Sequence, residues 1–175
     1  MTEAFRRRLR ALPDFPTDLP VFDPASAPDD PAVLFKEWFE DALAAGVPQP
    51  HAFSLATVGP TGMPSSRMLI LKNLDARGWQ FASARTSRKG RELIDNPQAA
   101  MNFYWPRLGR QVRVLGPVSE LSTEASALDW AERPAADGVA NPAWQLYALR
   151  PVEIEFWQAS PDRNHVRRRY ALSAG

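Results

Sequence analysis

Apolar residues early in the chain recur at the spacing of a helix. The recurring residues are Leu34, Phe35, Trp38, Phe39, Ala42 and Leu43. Asp30 can accept a hydrogen bond as the N-cap, Pro31 suits the first helical position, and Gly46 is a typical stop. The pattern therefore predicts a helix that begins at about residue 31 and buries one apolar face in the core.

Beyond residue 52 the pattern changes from helical spacing to short runs typical of strands. Six or seven strands are predicted, over residues 53–58, 66–72, 79–83, 99–105, 111–121, 152–158 and 165–170. Turns at 59–62 and 75–78 join the first three strands, which indicates a β-meander. Short helices are predicted over 87–94 and 123–132, and the Pro- and Ala-rich segment 134–151 is expected to be irregular.

This succession predicts one domain over residues 31–175, mainly β with flanking helices and shaped as a small barrel. Residues 1–30 are interpreted as an arm. Five prolines between Pro13 and Pro28 exclude regular structure there, and residues 6–10 carry four arginines. A tail laid on the surface is the favoured interpretation, and an arm that folds over an active site is the alternative.

Composition narrows the classes of function. The 175 residues are 45% hydrophobic and carry a formal net charge of +1, so no overall field recruits nucleic acid or an anionic membrane. The chain has no cysteine and two histidines, His51 and His165, which argues against disulfides, thiol catalysis and a metal site. No apolar run approaches membrane-spanning length and no secretory signal opens the chain, so a cytoplasmic protein is expected.

Candidate chemistry depends on cations near predicted strand and helix ends. There is no dinucleotide-binding glycine motif, P-loop or nucleophile elbow, so discrete side chains would have to hold a phosphorylated ligand. A predicted helix begins with Ser87, Arg88 and Lys89, at the end where cations oppose the helix dipole. This arrangement indicates a bound phosphate, and a chance arrangement without a ligand is an equal alternative. Arg67 and Lys72 have opposite parity in one strand, so they share a site only if the strand is bulged or both reach around an edge.

Two later segments also combine cations with strand patterns. Gln111 and Arg113 share the strand face opposite the core-facing valines, for which an ordinary solvated face is the simpler interpretation. Arg163, His165 and Arg167 alternate and are expected on one face of a strand. That face would be either an anion clamp or an exposed basic edge that deters aggregation.

Taken in order, these segments resemble the pyridoxamine 5′-phosphate oxidase family. The similarity runs from about residue 31 to 170 and depends on many short pieces in the family's order and spacing. The pieces are residues 53–58, 62–67 with 71–72, 87–90, 96–97, 103–105, 110–113, 132–134 and 155–158, and Arg163 with His165 and Arg167.

The resemblance implies an FMN-binding split β-barrel, Greek-key-like, that forms a homodimer with flavin mononucleotide (FMN) between the subunits. The residues implied to bind FMN are Arg67, Met68, Leu69, Lys72, Ser83, Ser87, Arg88, Lys89 and Gln111, with Trp157 and Arg167 from the other subunit. The residues implied to bind substrate are Lys72, Arg133, Arg163 and His165, of which the last two are the implied catalytic residues. The implied reaction moves hydride from C4′ of pyridoxine or pyridoxamine 5′-phosphate to flavin N5, and O₂ reoxidises the flavin.

Departures from the family pattern leave the substrate and the activity open. The family's substrate-phosphate tyrosine is Asp129 here, and an anion opposes a phosphate. The family has a much longer segment in place of residues 134–153 and a further tail after Tyr170. Three functions are therefore alternatives: this oxidase, an FMN oxidoreductase acting on another small ring such as a phenazine-type precursor, or a non-catalytic flavin- or B6-phosphate-binding module.

Overall fold

In the part of the chain that the structure describes, a β-sheet of nine strands curls into a half-barrel with four α-helices around it. The structure, a computed structural model, describes residues 2–134 and 138–173. The helices are α1 (Glu3–Arg10), α2 (Pro31–Ala44), α3 (Arg88–Asp95) and α4 (Thr123–Ala131), with a 3₁₀ turn at Pro106–Leu108. The strands are β1 (Ala52–Val58), β2 (Pro64–Ile70), β3 (Asn73–Asp75), β4 (Gly78–Ala84), β5 (Gln98–Trp105), β6 (Arg110–Glu120), β7 (Trp144–Leu149), β8 (Glu153–Gln158) and β9 (Val166–Ala171). In the described residues no helix has the length and apolar character needed to cross a bilayer.

The sheet has two branches that meet at β6. One branch has the antiparallel order β2-β1-β5-β6-β8-β9, and the other continues from β6 to β7, β4 and β3. The first half of β6 pairs with β8 and residues 118–120 pair with β7. Gly116 lies between them, where a Cβ would stand only 2.0 Å from the carbonyl oxygen of Arg150. A side chain at this point would push the branches apart, so the curvature depends on glycine.

An aromatic cluster fills the space between α2 and the sheet. The ring of Phe35 in α2 lies 4.4 Å from that of Trp79 in β4 and 5.0 Å from that of Phe103 in β5, measured between centroids. All three side chains are almost fully buried, and burial of such a side chain contributes roughly 1.5–3 kcal/mol. The apolar face of α2 is therefore part of the core, as its spacing predicted.

One buried cation ties α2 to the sheet. The guanidinium carbon of Arg110 lies 4.3 Å from the Trp38 ring. Its Nε donates to Gln158 Oε1 at 3.0 Å and its Nη1 to Asp41 Oδ2 at 2.6 Å. A buried charge is tolerated only with such partners, so Arg110 serves the core rather than a ligand.

The structure differs from the predicted elements mainly at β7. Residues 144–149, expected to be irregular, form a strand between β4 and β6. Five of its six residues are buried, so the alternation that marks a half-exposed strand is missing. The strand β3 and the helix α1 were also not predicted. The other predicted elements are confirmed within a few residues, and Asp30 caps α2 by accepting a hydrogen bond from Ala32 N–H at 2.8 Å.

Candidate functional site

The start of α3 collects several of the residues predicted to bind a phosphate. Ser87 is the N-cap of α3, and its Oγ accepts a hydrogen bond from Gly90 N–H at 3.2 Å. Ser83 Oγ of β4 lies 3.1 Å from Ser87 Oγ, and Lys89 Nζ donates to Ser87 Oγ at 3.3 Å. Hydroxyl groups, an ammonium group and the N–H groups of a helix start therefore converge, and these are donors suited to a phosphate.

A carboxylate that the sequence analysis did not identify, Glu92, completes this group of residues. The group is called the α3 cluster and consists of Arg67, Ser83, Ser87, Arg88, Lys89 and Glu92. Glu92 accepts hydrogen bonds from Thr57 Oγ1 (2.5 Å), Ser65 Oγ (2.8 Å), Arg67 Nη2 (3.2 Å) and Arg88 Nε (2.8 Å). The bond from Thr57, helped by those from Ser65 and the two arginines, outweighs burial and lowers the pKa of Glu92 to about 2. The sequence signal for this role was the four-residue spacing of Arg88 and Glu92 along one helix.

The α3 cluster carries more positive than negative charge. Arg67, Arg88 and Lys89 supply three cations against the single carboxylate of Glu92, which leaves an excess of two. Burial, together with the charge of Arg67, lowers the pKa of Lys89. Such a shift is expected of a partly buried ammonium group beside another cation. An added dianion would relieve this repulsion.

Arg67 and Lys72 lie in different places. Along β2, alternate residues including Ser65, Arg67 and Leu69 face the protein, and Arg67 points into the α3 cluster. The strand ends at Ile70, so Lys72 no longer follows its alternation. Lys72 lines a cavity instead, and the two cations do not share one site.

This cavity, with a volume of about 290 Å³, lies beside the end of β2. Its lining residues are Gln49, Ala52, Met68, Leu69, Ile70, Lys72, Ala82, Arg133 and Trp144. Four residues predicted to bind FMN or substrate, Met68, Leu69, Lys72 and Arg133, therefore meet here. A larger cavity of about 570 Å³ between α4 and residues 138–144 shares Trp144 with it but contains none of the predicted residues.

The two cations of the smaller cavity have different partners. Lys72 Nζ lies 3.2 Å from Asp129 Oδ1, and Trp144 Nε1 donates to Asp129 Oδ2 at 2.8 Å. The Arg133 guanidinium carbon lies 4.4 Å from the Trp130 ring and 4.6 Å from the Trp144 ring. Among the described residues, Arg133 forms no ion pair with a carboxylate. Lys72 is thus neutralised, whereas Arg133 is held by aromatic faces.

Three further predicted FMN-binding residues form a row on another part of the sheet. Gln111 of β6 pairs with Trp157 of β8, which pairs with Arg167 of β9. Directly paired residues project from the same face of a sheet. This face is opposite to the one on which Val112 and Phe156 are buried, so the row is directed away from the core.

The predicted strand face of Arg163, His165 and Arg167 is wrong. β9 begins only at Val166, and Arg163 lies in the preceding turn with a φ of 64°. Asp162 stabilises this turn by accepting a hydrogen bond from a backbone N–H two residues later, at 3.0 Å. Arg167 is therefore the one member of the three that lies in the strand.

The N-terminal arm lies over this turn. The Phe15 ring is 5.8 Å from the Trp157 ring and 5.7 Å from the His165 ring, and the last two are 4.7 Å apart. Asp14 forms an ion pair with Arg163 between exposed side chains. Of the two interpretations of the arm, these contacts favour the one in which it folds over residues predicted to form the active site.

The predicted site residues are divided between opposite edges of one branch. β2 and β9 are its end strands and lie five ladder steps apart. At about 4.8 Å per step, this is roughly 24 Å along the sheet. One chain therefore keeps the β2 residues, with the 290 Å³ cavity, apart from the row that ends at Arg167.

Comparison with known proteins identifies the family. The sequence profile described as "Pyridoxamine 5'-phosphate oxidase" matches residues 39–158, and that of the "Pyridoxine 5'-phosphate oxidase C-terminal dimerisation region" matches residues 144–175. The chain belongs to the pyridoxamine 5′-phosphate oxidase family. A pyridoxine/pyridoxamine 5′-phosphate oxidase from Burkholderia lata is 37% identical over 185 residues, which cover 87% of this chain and 86% of the relative.

Solved structures of similar proteins confirm the split-barrel fold of this oxidase family. The crystal structure of PhzG from Burkholderia lata, in complex with tetrahydrophenazine-1-carboxylic acid, has a TM-score of 0.82 and 31% identity. The structural match covers 89% of this chain and 94% of the PhzG chain. An FMN-binding protein related to pyridoxamine 5′-phosphate oxidase from Nostoc punctiforme has a TM-score of 0.60 at 18% identity, covering 86% and 100% of the two chains. The latter likeness shows the fold alone.

Proposed function

We propose that the protein is an FMN-dependent oxidoreductase that works as a homodimer. The observation that carries this proposal is the α3 cluster, in which an excess of two positive charges meets serine hydroxyls and a helix start. A phosphate monoester near neutral pH carries a charge between about −1.5 and −2 and presents three acceptor oxygens. The residues present therefore fit the phosphate end of FMN.

Different residues would hold different parts of the cofactor. Arg88, Lys89, Ser83 and Ser87 would bind the phosphate, and Arg67, fixed by Glu92, would direct a second guanidinium at it. The cavity residues Met68, Leu69 and Lys72 would contact the cofactor beyond the phosphate. FMN, when bound, would accept a hydride from the substrate and pass the electrons to O₂.

The proposal of a homodimer follows from the separation of the predicted residues. Gln111 of β6 lies three ladder steps from β2, whereas Trp157 of β8 and Arg167 of β9 lie four and five steps away, or roughly 19 and 24 Å along the sheet. A second copy of the chain can place its own Trp157 and Arg167 beside the cavity of the first, because a two-fold dimer interface brings each patch to both sites. The match to a dimerisation region at residues 144–175, which contain β8 and β9, supports this arrangement.

The substrate would bind in the 290 Å³ cavity beside Lys72 and Arg133, with Arg163 and His165 reaching it from the partner. Oxidation of pyridoxine or pyridoxamine 5′-phosphate is supported by the names of the relatives and by Arg133. Oxidation of a different small ring is supported by Asp129, which neutralises Lys72 at 3.2 Å, and by the similarity to PhzG.

Purification followed by a substrate panel tests this function. We expect a yellow protein that releases FMN, not FAD, on denaturation, and that forms peroxide with a substrate from the panel. The panel contains pyridoxine 5′-phosphate, pyridoxamine 5′-phosphate and partly reduced phenazine carboxylates. A colourless protein that cannot be reconstituted with FMN would contradict the cofactor. FMN binding without peroxide from any member would favour a non-catalytic flavin-binding module.

A further inference from the structure

We infer that the 290 Å³ cavity selects a planar ring compound with one carboxylate group and discriminates against a phosphate ester. This inference rests on the proposed function, because it names the class of substrate that the same site would take. It is carried by the charges that line the cavity and by the shape of its walls.

Lys72 is not available for a second anion. Its Nζ lies 3.2 Å from Asp129 Oδ1, and the side chain of Asp129 is only 12% exposed. Trp144 Nε1 holds the other carboxylate oxygen at 2.8 Å. An incoming phosphate would have to displace this buried carboxylate or lie beside it, and either course is unfavourable.

Arg133 is oriented by aromatic rings and has no acid partner among residues 2–134 and 138–173. Both indole contacts, at 4.4 and 4.6 Å, are made with the face of an aromatic ring. Cation–π contacts of this kind hold a guanidinium group without using its N–H groups. With respect to the part of the chain that the structure describes, the N–H groups of Arg133 are available to donate two parallel hydrogen bonds, which is the geometry that a carboxylate accepts.

Net charge also distinguishes the cavity from the α3 cluster. Among the described residues at the cavity, Lys72 and Asp129 cancel, so that Arg133 leaves an excess of one positive charge. The α3 cluster, by contrast, has an excess of two and is the better partner for a dianion. A carboxylate matches the cavity in charge, whereas a phosphate dianion would leave one negative charge uncompensated.

The walls of the cavity favour a flat ring behind the carboxylate. Met68, Leu69, Ala52 and Ala82 are apolar, and Trp144 adds an aromatic side chain. A ligand ring placed there would exchange water for apolar contacts, while its carboxylate remained at Arg133.

Three compounds with the same ring and different head groups test the inference. They are naphthalene-1-carboxylate, 1-naphthyl phosphate and naphthalene-1-carboxamide, titrated calorimetrically near neutral pH into the full-length protein with and without FMN. In the FMN-loaded protein we expect the carboxylate to bind most tightly. Its affinity should exceed that of the amide by roughly tenfold or more, the contribution of one charge-assisted hydrogen-bonded contact.

Two substitutions separate the roles of the charges. In Asp129→Asn, Lys72 is released while an acceptor for Trp144 Nε1 remains, so 1-naphthyl phosphate should gain roughly tenfold and overtake the carboxylate. In Arg133→Gln, the carboxylate should lose roughly ten- to a hundredfold. Arg77→Gln is the control, because this exposed arginine pairs locally with Asp75 outside the cavity. Its affinities should equal those of the wild type.

Three results would overturn the inference: phosphate preferred over carboxylate in the FMN-loaded wild type, an unchanged preference in Asp129→Asn, or no binding of any compound in either state of the protein. The colour and FMN content of the protein are measured separately. A protein that takes no FMN would contradict the proposed function. The responses to Arg133→Gln and Asp129→Asn in the FMN-free protein would still decide this inference, because neither residue belongs to the α3 cluster, which can itself bind 1-naphthyl phosphate when FMN is absent.

Discussion

Replacing Glu92 with glutamine should destabilise the protein by removing the anion inside the α3 cluster. Glutamine preserves the size of the side chain and can still accept one hydrogen bond and donate another. It cannot neutralise Arg67 and Arg88, which lie 3.2 and 2.8 Å from the carboxylate. The three cations of the cluster would then face one another without an internal anion.

The expected magnitude follows from the exposure of each partner. The side chains of Arg67 and Glu92 are 21% and 8% exposed, so the loss of this charge-assisted contact should cost about 1.5–3 kcal/mol. Arg88 is 65% exposed and should contribute about 0.5 kcal/mol or less. A total of about 2–3 kcal/mol corresponds to a fall in the melting temperature of roughly 5–10 °C for a chain of this size.

The pH dependence gives a second measure of the same interaction. The pKa of Glu92 is lowered from 4.5 to about 2, so its contribution is fully present above pH 4.5 and is lost as the pH falls towards 2. Wild-type stability should decline over this interval, and Glu92→Gln should decline less steeply. Chemical unfolding at a series of pH values measures both slopes. Bound FMN should reduce the cost of the substitution, because its phosphate supplies the missing negative charge.

A matched control is Glu40→Gln, which removes the charge of an exposed glutamate from α2. Its effect on the free energy of unfolding should stay within about 0.5 kcal/mol. Glu92 would not have this stabilising role if Glu92→Gln were no more destabilising than Glu40→Gln. The same conclusion would follow if the free energy of unfolding declined equally in both variants between pH 4.5 and 2.

Three other predictions concern the cofactor, the arm and the assembly. Arg88→Ala should lower FMN affinity roughly tenfold or more. Arg163→Ala should keep the flavin, measured by absorbance, and lose most peroxide formation. Full turnover in Arg163→Ala would show that Arg163 does not belong to the substrate site. Phe15→Ala should remove the arm's contacts with the Trp157 and His165 rings, which contribute about 0.5–1.5 kcal/mol each. Limited proteolysis within residues 11–22 should therefore become faster. An unchanged cleavage rate would show that Phe15 does not hold the arm. Sedimentation equilibrium should give twice the 19.5 kDa chain mass, and a flavin-loaded monomer would contradict the two-chain site.

Much of the fold could be predicted because its elements repeat their pattern locally. The helical spacing of α2 and the alternating burial along β1 and β6 report one buried face, which is visible within a few residues. β7 could not be found this way, since five of its six residues are buried. Its position between β4 and β6 depends on contacts with distant parts of the chain.

For the candidate site too, only the contacts between residues close in sequence could be predicted. Ser87, Arg88 and Lys89 are consecutive, so their meeting at the start of α3 was predictable. The contact of Thr57 with Glu92 joins residues 35 positions apart and exists only because β1 packs beside α3. Likewise the separation of Arg67 from Lys72 depends on where β2 ends, and strand ends are set by the following turn rather than by alternation.

The placement of the predicted residues at opposite edges of one sheet has a genetic consequence. In a site formed by two chains, one allele damaged at the α3 cluster and another damaged at Trp157 or Arg167 would complement each other. Each mixed dimer would contain one site with both lesions and one with neither. Random assembly of equal amounts makes about half of the dimers mixed, so about a quarter of all sites would be intact although no single chain is.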